Sequence, residues 1–226
     1  MQTVSEYNVG HNFDYNWKES RLQKCISIME SIPPGSLLDI GCSDGTWGKE
    51  WQRRGWRVSG IDVNPDQVKA AQQFGIEAHV CDLNRDKIPF QDNQFDLIFA
   101  GEVIEHLVDT DGFLADVRRV CKPGGKLLLT TPNLASFENR VRLVLGIYPN
   151  WLNYNLQGSG HVRGYTPRVL KRQLAEHGFR VTRHLGNWVP FIPQRYTDDI
   201  KMPFLSFTGT VWPSLAMDII MLADKV

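Results

Sequence analysis

Two aspartates stand at or near the ends of short apolar runs in a pattern suited to gripping a nucleoside. In LLDIGCSDG at 37–45 the run carries Asp39, breaks at Gly41, and Gly45 then opens a helical stretch. In SGIDVNP at 59–65 a second run ends in Asp62, about twenty residues beyond Gly41. Parallel strands ending in acids, with a glycine turn between them, form a crevice at their carboxyl ends. A second group of reactive types follows. EVIEHL supplies Glu102, Glu105 and His106, and GSGHVRGYTP supplies His161. Spacings of three and four put the first three on one face if that turn is helical. Imidazoles and carboxylates there can take a proton from a substrate.

The elements that must carry these residues alternate. SLLDI at 36–40 reads as a buried strand, Asp44 to Arg54 as a helix closed by Gly55, and RVSGI at 57–61 as the second strand. Pro65 suits the first turn of a helix running to about Phe74. IEAHVC at 76–81, FDLIFA at 95–100 and KLLLTT at 126–131 follow as strands, with a helix from about Asp111 to Cys121 before the last. Near-continuous apolar strands joined by helical crossovers predict an α/β, doubly wound, mostly parallel sheet covered on both faces. Thr166-Pro167 opens a helix to His177, FRVTRHLG at 179–186 is a sixth strand, and SLAMDIIMLADK at 214–225 is a seventh, antiparallel at the end of the chain. Both carboxyl-end segments of this fold put His161 within reach of the EVIEHL group.

The chain reads as one domain over 1–226: an N-terminal helical cap at 1–35, a core at 36–132, a lid insertion at 133–165, and a C-terminal part at 166–226 with an irregular second insert at 187–212. An apolar fraction of 42% against 22% charged is that of a globular protein. The formal net charge is +0, so no bulk field draws the chain to DNA or RNA. Charge is nevertheless uneven. Between Arg140 and Arg183 Glu176 is the only acid, which fits solvated faces, an anionic substrate or an anionic membrane surface. Cys25, Cys42, Cys81 and Cys121 lack C-x-x-C spacing, so neither disulfides nor a zinc cluster is expected, and a reducing, cytoplasmic setting fits. The polar N-terminus reads as no signal peptide, and no run approaches the ~20 apolar residues of a membrane span.

Four runs together (LLDIGCSDG, GIDVNP, CDLNRDKIPFQDNQFDLIFAGEVIEHL and CKPGGKLLLTTPN) resemble class I S-adenosylmethionine-dependent methyltransferases, and the layout after the fifth strand resembles the ubiquinone-pathway O-methyltransferases. Glycines fall at 41, 45 and 48, while Ser43 occupies the place where a dinucleotide fold wants a glycine against pyrophosphate. That departure favours S-adenosylmethionine over NAD. The resemblance implies a Rossmann-like seven-stranded sheet with lid insertions. It also implies a cofactor site of Asp39, Gly41, Ser43, Gly45, Asp62, Val63, Asp82, Leu83, Gly101 and Glu102. Asp39 would hold the ammonium and Asp62 the ribose diol. Asp82 would take the adenine amino group and Leu83 pack on the ring, while Gly101 and Glu102 line the methyl side. The alternative for Asp39 and Asp82 is that each caps the next turn.

The same resemblance implies methyl transfer to a small acceptor, anionic or lipophilic, most naturally at oxygen. His106 and His161 are the candidate bases. Glu102, Glu105, His106 and His161 are candidate ligands for Mg²⁺, which would lower the pKa of an acceptor hydroxyl. RNA 2′-O-methylation and NAD-dependent oxidoreduction are the alternatives. Lid candidates for acceptor contact are Tyr148, Trp151, Tyr154, Tyr165, Phe191 and Trp212, with Trp188 read as core. The 140–156 stretch mixes Arg with apolar residues, and reads as a packed lid helix or as a segment lying on a membrane.

Overall fold

The computed structural model describes residues 17–152, 160–191 and 202–226. Strand β1 (Ser36–Ile40) pairs in parallel with β2 (Arg57–Asp62) on one side and β4 (Phe95–Gly101) on the other. β3 (Glu77–Val80) extends the sheet beyond β2, and β5 (Cys121–Pro132) follows β4, both in parallel. β7 (Asp218–Lys225) runs antiparallel between β5 and β6 (Phe179–Gly186). The spatial order is therefore β3-β2-β1-β4-β5-β7-β6, and the strand order reverses between β1 and β4. A crevice opens outside the carboxyl ends of the strands at such a reversal.

Side chains alternate across the sheet and feed two separate cores. Leu37, Leu97, Phe99, Leu128 and Ile220 face α1 (Ser20–Glu30), α2 (Thr46–Arg53) and α3 (Pro65–Gln73). Leu38, Ile40, Ile98, Ala100, Leu129 and Met221 face α4 (Thr110–Val120) and α6 (Pro167–Glu176). Each large aliphatic side chain so buried stabilises the fold by roughly 1.5–3 kcal/mol. Trp47 and Trp51, one turn apart on α2, bury fully, with Trp17 stacked on Trp47 at 5.6 Å. Local chemistry sets the helix starts. Asn64, Asp109 and Thr166 each accept a main-chain N–H of the first turn, and Pro65 and Pro167 occupy positions that need no N–H.

The strands expected at 36–40 and 179–186 form over those residues. Other expectations are corrected. The fifth strand, expected at 126–131, runs from Cys121 to Pro132; its pairing slips between Phe95 and Leu97, so Lys122-Pro123-Gly124-Gly125 forms an irregular stretch of the strand instead of a turn outside it. The last strand begins at Asp218, not at 214, because Pro213–Leu215 winds into a 3-10 turn that Pro213 opens without an N–H. The insert expected to be irregular holds helix α7 (Met202–Val211), and the lid holds α5 (Phe137–Val144). Within the expected N-terminal cap the described helix is α1, and residues 1–16 lie outside the described residues, as do Tyr154 and residues 192–201. All four cysteines are free and buried. Among the described residues no helix is long and apolar enough to cross a membrane.

Candidate active site

Loop chemistry at the end of β1 separates the two cofactor readings. Gly41 N and Cys42 N both donate to Ile61 O, at 2.8 and 3.0 Å, and Ser43 N donates to Asp62 Oδ2 at 2.9 Å. A pyrophosphate cradle needs such N–H groups pointing at the ligand. Here three of them are spent on the neighbouring strand and its acid, which argues against a dinucleotide. Gly41 takes φ +76 and Gly45 φ +81. A Cβ at Gly45 would lie 2.7 Å from Ala71 Cα, so α2 and α3 can approach only with glycine there.

Asp39 projects from β1 toward the α1–α3 side, on the same face as Leu37. It is 1% exposed, and neither carboxylate oxygen has a partner. Burial, then the nearby Asp62 charge, pushes its carboxyl up to about 8. An acid buried without a donor is costly unless a ligand or water supplies one. The amino group of an amino-acid cofactor is such a donor, so this site fits the methionine end of S-adenosylmethionine. Asp62 ties the two loops together, accepting from Ser43 N and, through Oδ1, from Asn64 N at 2.9 Å. Burial raises its pKa against those backbone donors. The Val63 N–H adds to these donors, and the acceptor capacity that remains on the carboxylate suits a sugar hydroxyl. Val63 lies half-buried beside it.

Asp82 behaves differently from Asp39. Its Oδ1 accepts Asn84 N at 3.0 Å and its Oδ2 sits 3.5 Å from Arg85 Nε, the turn-capping arrangement. Asp39 caps nothing. Leu83 packs, half-buried, on the core beneath α4. Gly101 ends β4, and Glu102 follows with φ +56, a left-handed conformation costly for a residue with a side chain.

That backbone bend sends Glu102 and Glu105 to opposite faces of the sheet. Adjacent residues of β5 receive them: Thr130 Oγ1 donates to Glu102 Oε1 at 2.8 Å, and Thr131 Oγ1 to Glu105 Oε2 at 3.0 Å. On the α1 face Arg21 Nη1 lies 3.3 Å from Glu102, and Arg21 Nε lies 2.9 Å from Glu19 and 3.9 Å from Asp218. Burial opposes the guanidinium charge, but Glu102, Asp218 and Glu19 outweigh it and hold Arg21 protonated. Asp218, which accepts from Asn187 Nδ2 at 2.6 Å, is pushed up to about 8 by burial and by Glu102.

On the other face the 3-10 turn Ile104–His106 gathers Glu105, His106 and His161, whose ligand atoms lie within 4.8 Å of one another. The main-chain oxygen of Glu105 accepts Val162 N and Arg163 N, at 2.9 and 3.1 Å, which fastens the His161 segment to the turn. His161 Nδ1 meets Trp151 O at 2.6 Å. A carbonyl only accepts, so Nδ1 carries the proton and, in the neutral ring, Nε2 keeps its lone pair. That nitrogen lies 3.9 Å from Glu105 Oε1, which is buried and has no hydrogen-bond partner. Burial first, then Glu102, lifts the Glu105 carboxyl well above its ordinary value. The His106 ring packs edge-on against His161 at 4.8 Å, and its Nδ1 lies 3.3 Å from Gly160 O.

Of the four expected magnesium ligands the structure gathers three and holds Glu102 apart on Arg21. One carboxylate with two imidazoles is a poor match for a cation that demands oxygen ligands. Sequence reasoning missed Arg21, Thr130, Thr131, Asp218 and the Trp151 carbonyl. Among these the paired threonines of KLLLTTPN carry a signal, since consecutive strand residues must face opposite ways. Among the lid aromatics, Tyr165 is buried with its hydroxyl donating to Gln173 Oε1 at 2.9 Å, and Trp188 packs with Leu205 and Met217. Tyr148, Trp151, Phe191 and Trp212 are exposed.

Comparison with known proteins follows the same lines. The family model described as "Methyltransferase domain" matches residues 16–184. A malonyl-[acyl-carrier protein] O-methyltransferase of Serratia marcescens is 28% identical over 145 residues, 64% of this chain and 53% of that protein. A ubiquinone biosynthesis O-methyltransferase of Xanthomonas oryzae pv. oryzae is 34% identical over 113 residues, 48% of this chain and 47% of that protein. The chain thus spans about half the length of these curated relatives. A crystal structure of a SAM-dependent methyltransferase from Archaeoglobus fulgidus superposes with TM-score 0.62 at 18% identity, covering 91% of this chain and 92% of that one, a likeness of fold.

Proposed function

The chain belongs to the methyltransferase domain family, among the class I S-adenosylmethionine-dependent methyltransferases, and from that premise we propose that it transfers a methyl group to an oxygen of a small-molecule acceptor. The observation that carries the reading is the unpartnered Asp39 carboxyl, buried at the strand reversal beside Gly41 and Asp62.

S-adenosylmethionine, when bound, supplies a methyl group already activated by a positive sulfur, so the chain's own task is alignment and proton handling. Asp39 accepts from the amino group, Asp62 takes the sugar hydroxyls on its remaining lone pairs, and Gly41 keeps the wall open. Asp82 and Leu83 border the base end, and Gly101 and Glu102 the methyl end. An alcohol or phenol must lose a proton as its oxygen attacks. His161 is set up to take it: the Trp151 carbonyl on Nδ1 fixes the tautomer and leaves Nε2 to accept, with the buried Glu105 carboxyl 3.9 Å from that nitrogen. His106 packs against that ring and keeps it edge-on. The names of the two relatives, both O-methyltransferases, support oxygen as the acceptor atom.

The test is binding followed by turnover. S-adenosylhomocysteine should raise the melting temperature and NAD should not, and Asp62→Ala should weaken S-adenosylhomocysteine binding at least tenfold by calorimetry. Stabilisation by NAD alone would overturn the reading. Transfer of a labelled methyl group to hydroxylated or carboxylic acceptors then identifies the atom.

A further inference from the structure

Helix α7 of the second insert is tied to α1 around one buried amide, that of Asn187. Lys24 Nζ on α1 donates to the main-chain oxygens of Gly186, Asn187 and Ser206, at 2.5, 3.0 and 2.7 Å. One turn earlier, Ser20 Oγ lies 2.9 Å from Asn187 O and 2.7 Å from Ser206 Oγ. From the other side Gly209 of α7 approaches so closely that a Cβ there would stand 2.5 Å from Gly186 O and 2.6 Å from Asn187 C. Thr208 Oγ1 accepts Val189 N at 2.9 Å. Helix α7 therefore seats the segment 186–189, and with it Asn187, which is buried.

A buried amide must spend both its donor and its acceptor. Asn187 Oδ1 accepts Trp188 N at 2.7 Å and Asp218 N at 3.0 Å, and Nδ2 donates to Asp218 Oδ2 at 2.6 Å. That last bond settles a competition for Arg21. Glu19 takes Arg21 Nε and Nη2 at 2.9 and 3.3 Å, Glu102 lies 3.3 Å from Nη1, and Asp218 stands back at 3.9 Å from Nε. Asp218 is the least exposed of the three acids, at 15% against 27% and 35%, so it has the greatest need of a donor. The Asn187 amide supplies one, which leaves Nη1 to Glu102 and to Thr130 Oγ1 at 3.3 Å. Without the amide, Asp218 would draw the guanidinium toward itself and away from Glu102. The network lies at the carboxyl end of the sheet, where Asp218 pairs with Pro132 at the end of β5 and Glu102 follows β4.

We propose that Asn187 is a positioning residue for the cofactor pocket: seated by α7, it holds Asp218 off Arg21 and so keeps Glu102 where it borders the methyl end. The role in the pocket rests on the methyl-transfer reading; the link from Asn187 to Glu102 does not.

The test is a double-mutant cycle on S-adenosylhomocysteine binding by the full chain, read by calorimetry. Asn187→Ala should raise the Kd about fivefold to tenfold in the wild-type background, and less than about twofold where Glu102→Gln has already removed the charge that is positioned. Gly209→Ala, which presses on Asn187 from α7 and leaves its amide intact, should give the same pattern, and it carries the test if Asn187→Ala does not fold. Equal rises in Kd in the two backgrounds would overturn the proposal. So would an unchanged Kd beside a lowered urea midpoint, the signature of a role in folding alone. A wild-type chain that does not bind S-adenosylhomocysteine refutes the methyl-transfer reading, and the same cycle in urea unfolding then decides the link: non-additive losses of stability support it and additive losses overturn it.

Discussion

Glu102 and Glu105 differ by three residues in sequence and by a whole sheet in space. Glu102 enters a network that answers its charge, with Arg21 and Thr130 on its oxygens. Glu105 enters one that does not, with Thr131 on one oxygen and, near the other, no hydrogen bond and only the His161 ring nitrogen 3.9 Å away. Satisfied acids hold structure together, whereas an unsatisfied buried acid stores free energy that a substrate or a proton can release. From this contrast we propose that Glu102 shapes the cofactor side of the site and Glu105 serves the chemistry, and each assignment can be broken separately.

The largest expected effect is on the Glu105 side. His161→Ala should lower kcat by roughly 10²–10⁴-fold for a hydroxyl acceptor, the usual worth of a positioned base. Glu105→Gln should lower it less, because the ring keeps its Trp151 tether. Affinity for S-adenosylhomocysteine should be unchanged in both, and Glu102→Gln should show the opposite profile, with weaker binding and smaller loss of kcat. Steady-state kinetics beside calorimetry separates the two. Equal losses of kcat in Glu102→Gln and Glu105→Gln would erase the distinction.

A smaller effect, on stability, is expected at Arg21. Arg21→Met leaves Glu102 and Asp218 without their cation, and because the three side chains keep 17%, 27% and 15% of their exposure the loss should be about 1–3 kcal/mol, below the roughly 3–5 kcal/mol of a fully buried pair. Urea unfolding should show that loss, and adding Glu102→Gln should restore about 1 kcal/mol or more of it through relief of repulsion. Additive effects in that double-mutant cycle would mean Arg21 does not hold Glu102.

The sequence makes the first half of this site legible and leaves the second half closed, for a reason of range. Asp39, Gly41 and Asp62 announce themselves because strand, turn and acid are neighbours in the chain. The caps at Asn64 and Thr166 are local in the same way. The parting of Glu102 from Glu105 depends on one left-handed residue and on which threonine of β5 stands opposite, and both are set by tertiary packing. Arg21 arrives from a helix about eighty residues upstream of Glu102, beyond any spacing rule. Helix α7 was hidden for a different reason: the prolines and aromatics around it read as loop, yet Leu205 packs with Trp188 and Met217 and docks it.

Asp39 sharpens the comparison further, because it lies on Glu102's face of the sheet and shares Glu105's lack of partners. Face alone therefore does not decide role; satisfaction does. Its carboxyl titrates at about 8 in the folded chain, against about 3.9 when unfolded. A carboxyl whose folded value is raised contributes stability that is complete below the unfolded value and is lost as pH rises toward the folded one. The cofactor-free protein should thus lose roughly 3 kcal/mol between pH 5 and pH 8 that Asp39→Asn does not lose. The variant should meanwhile bind S-adenosylhomocysteine at least tenfold more weakly, the usual trade between a stored strain and a ligand. Denaturant unfolding at the two pH values checks the first part. Parallel pH dependence in wild type and variant would mean that Asp39 is already paired in the free protein, and the site's claim on an amino group would lose its physical basis.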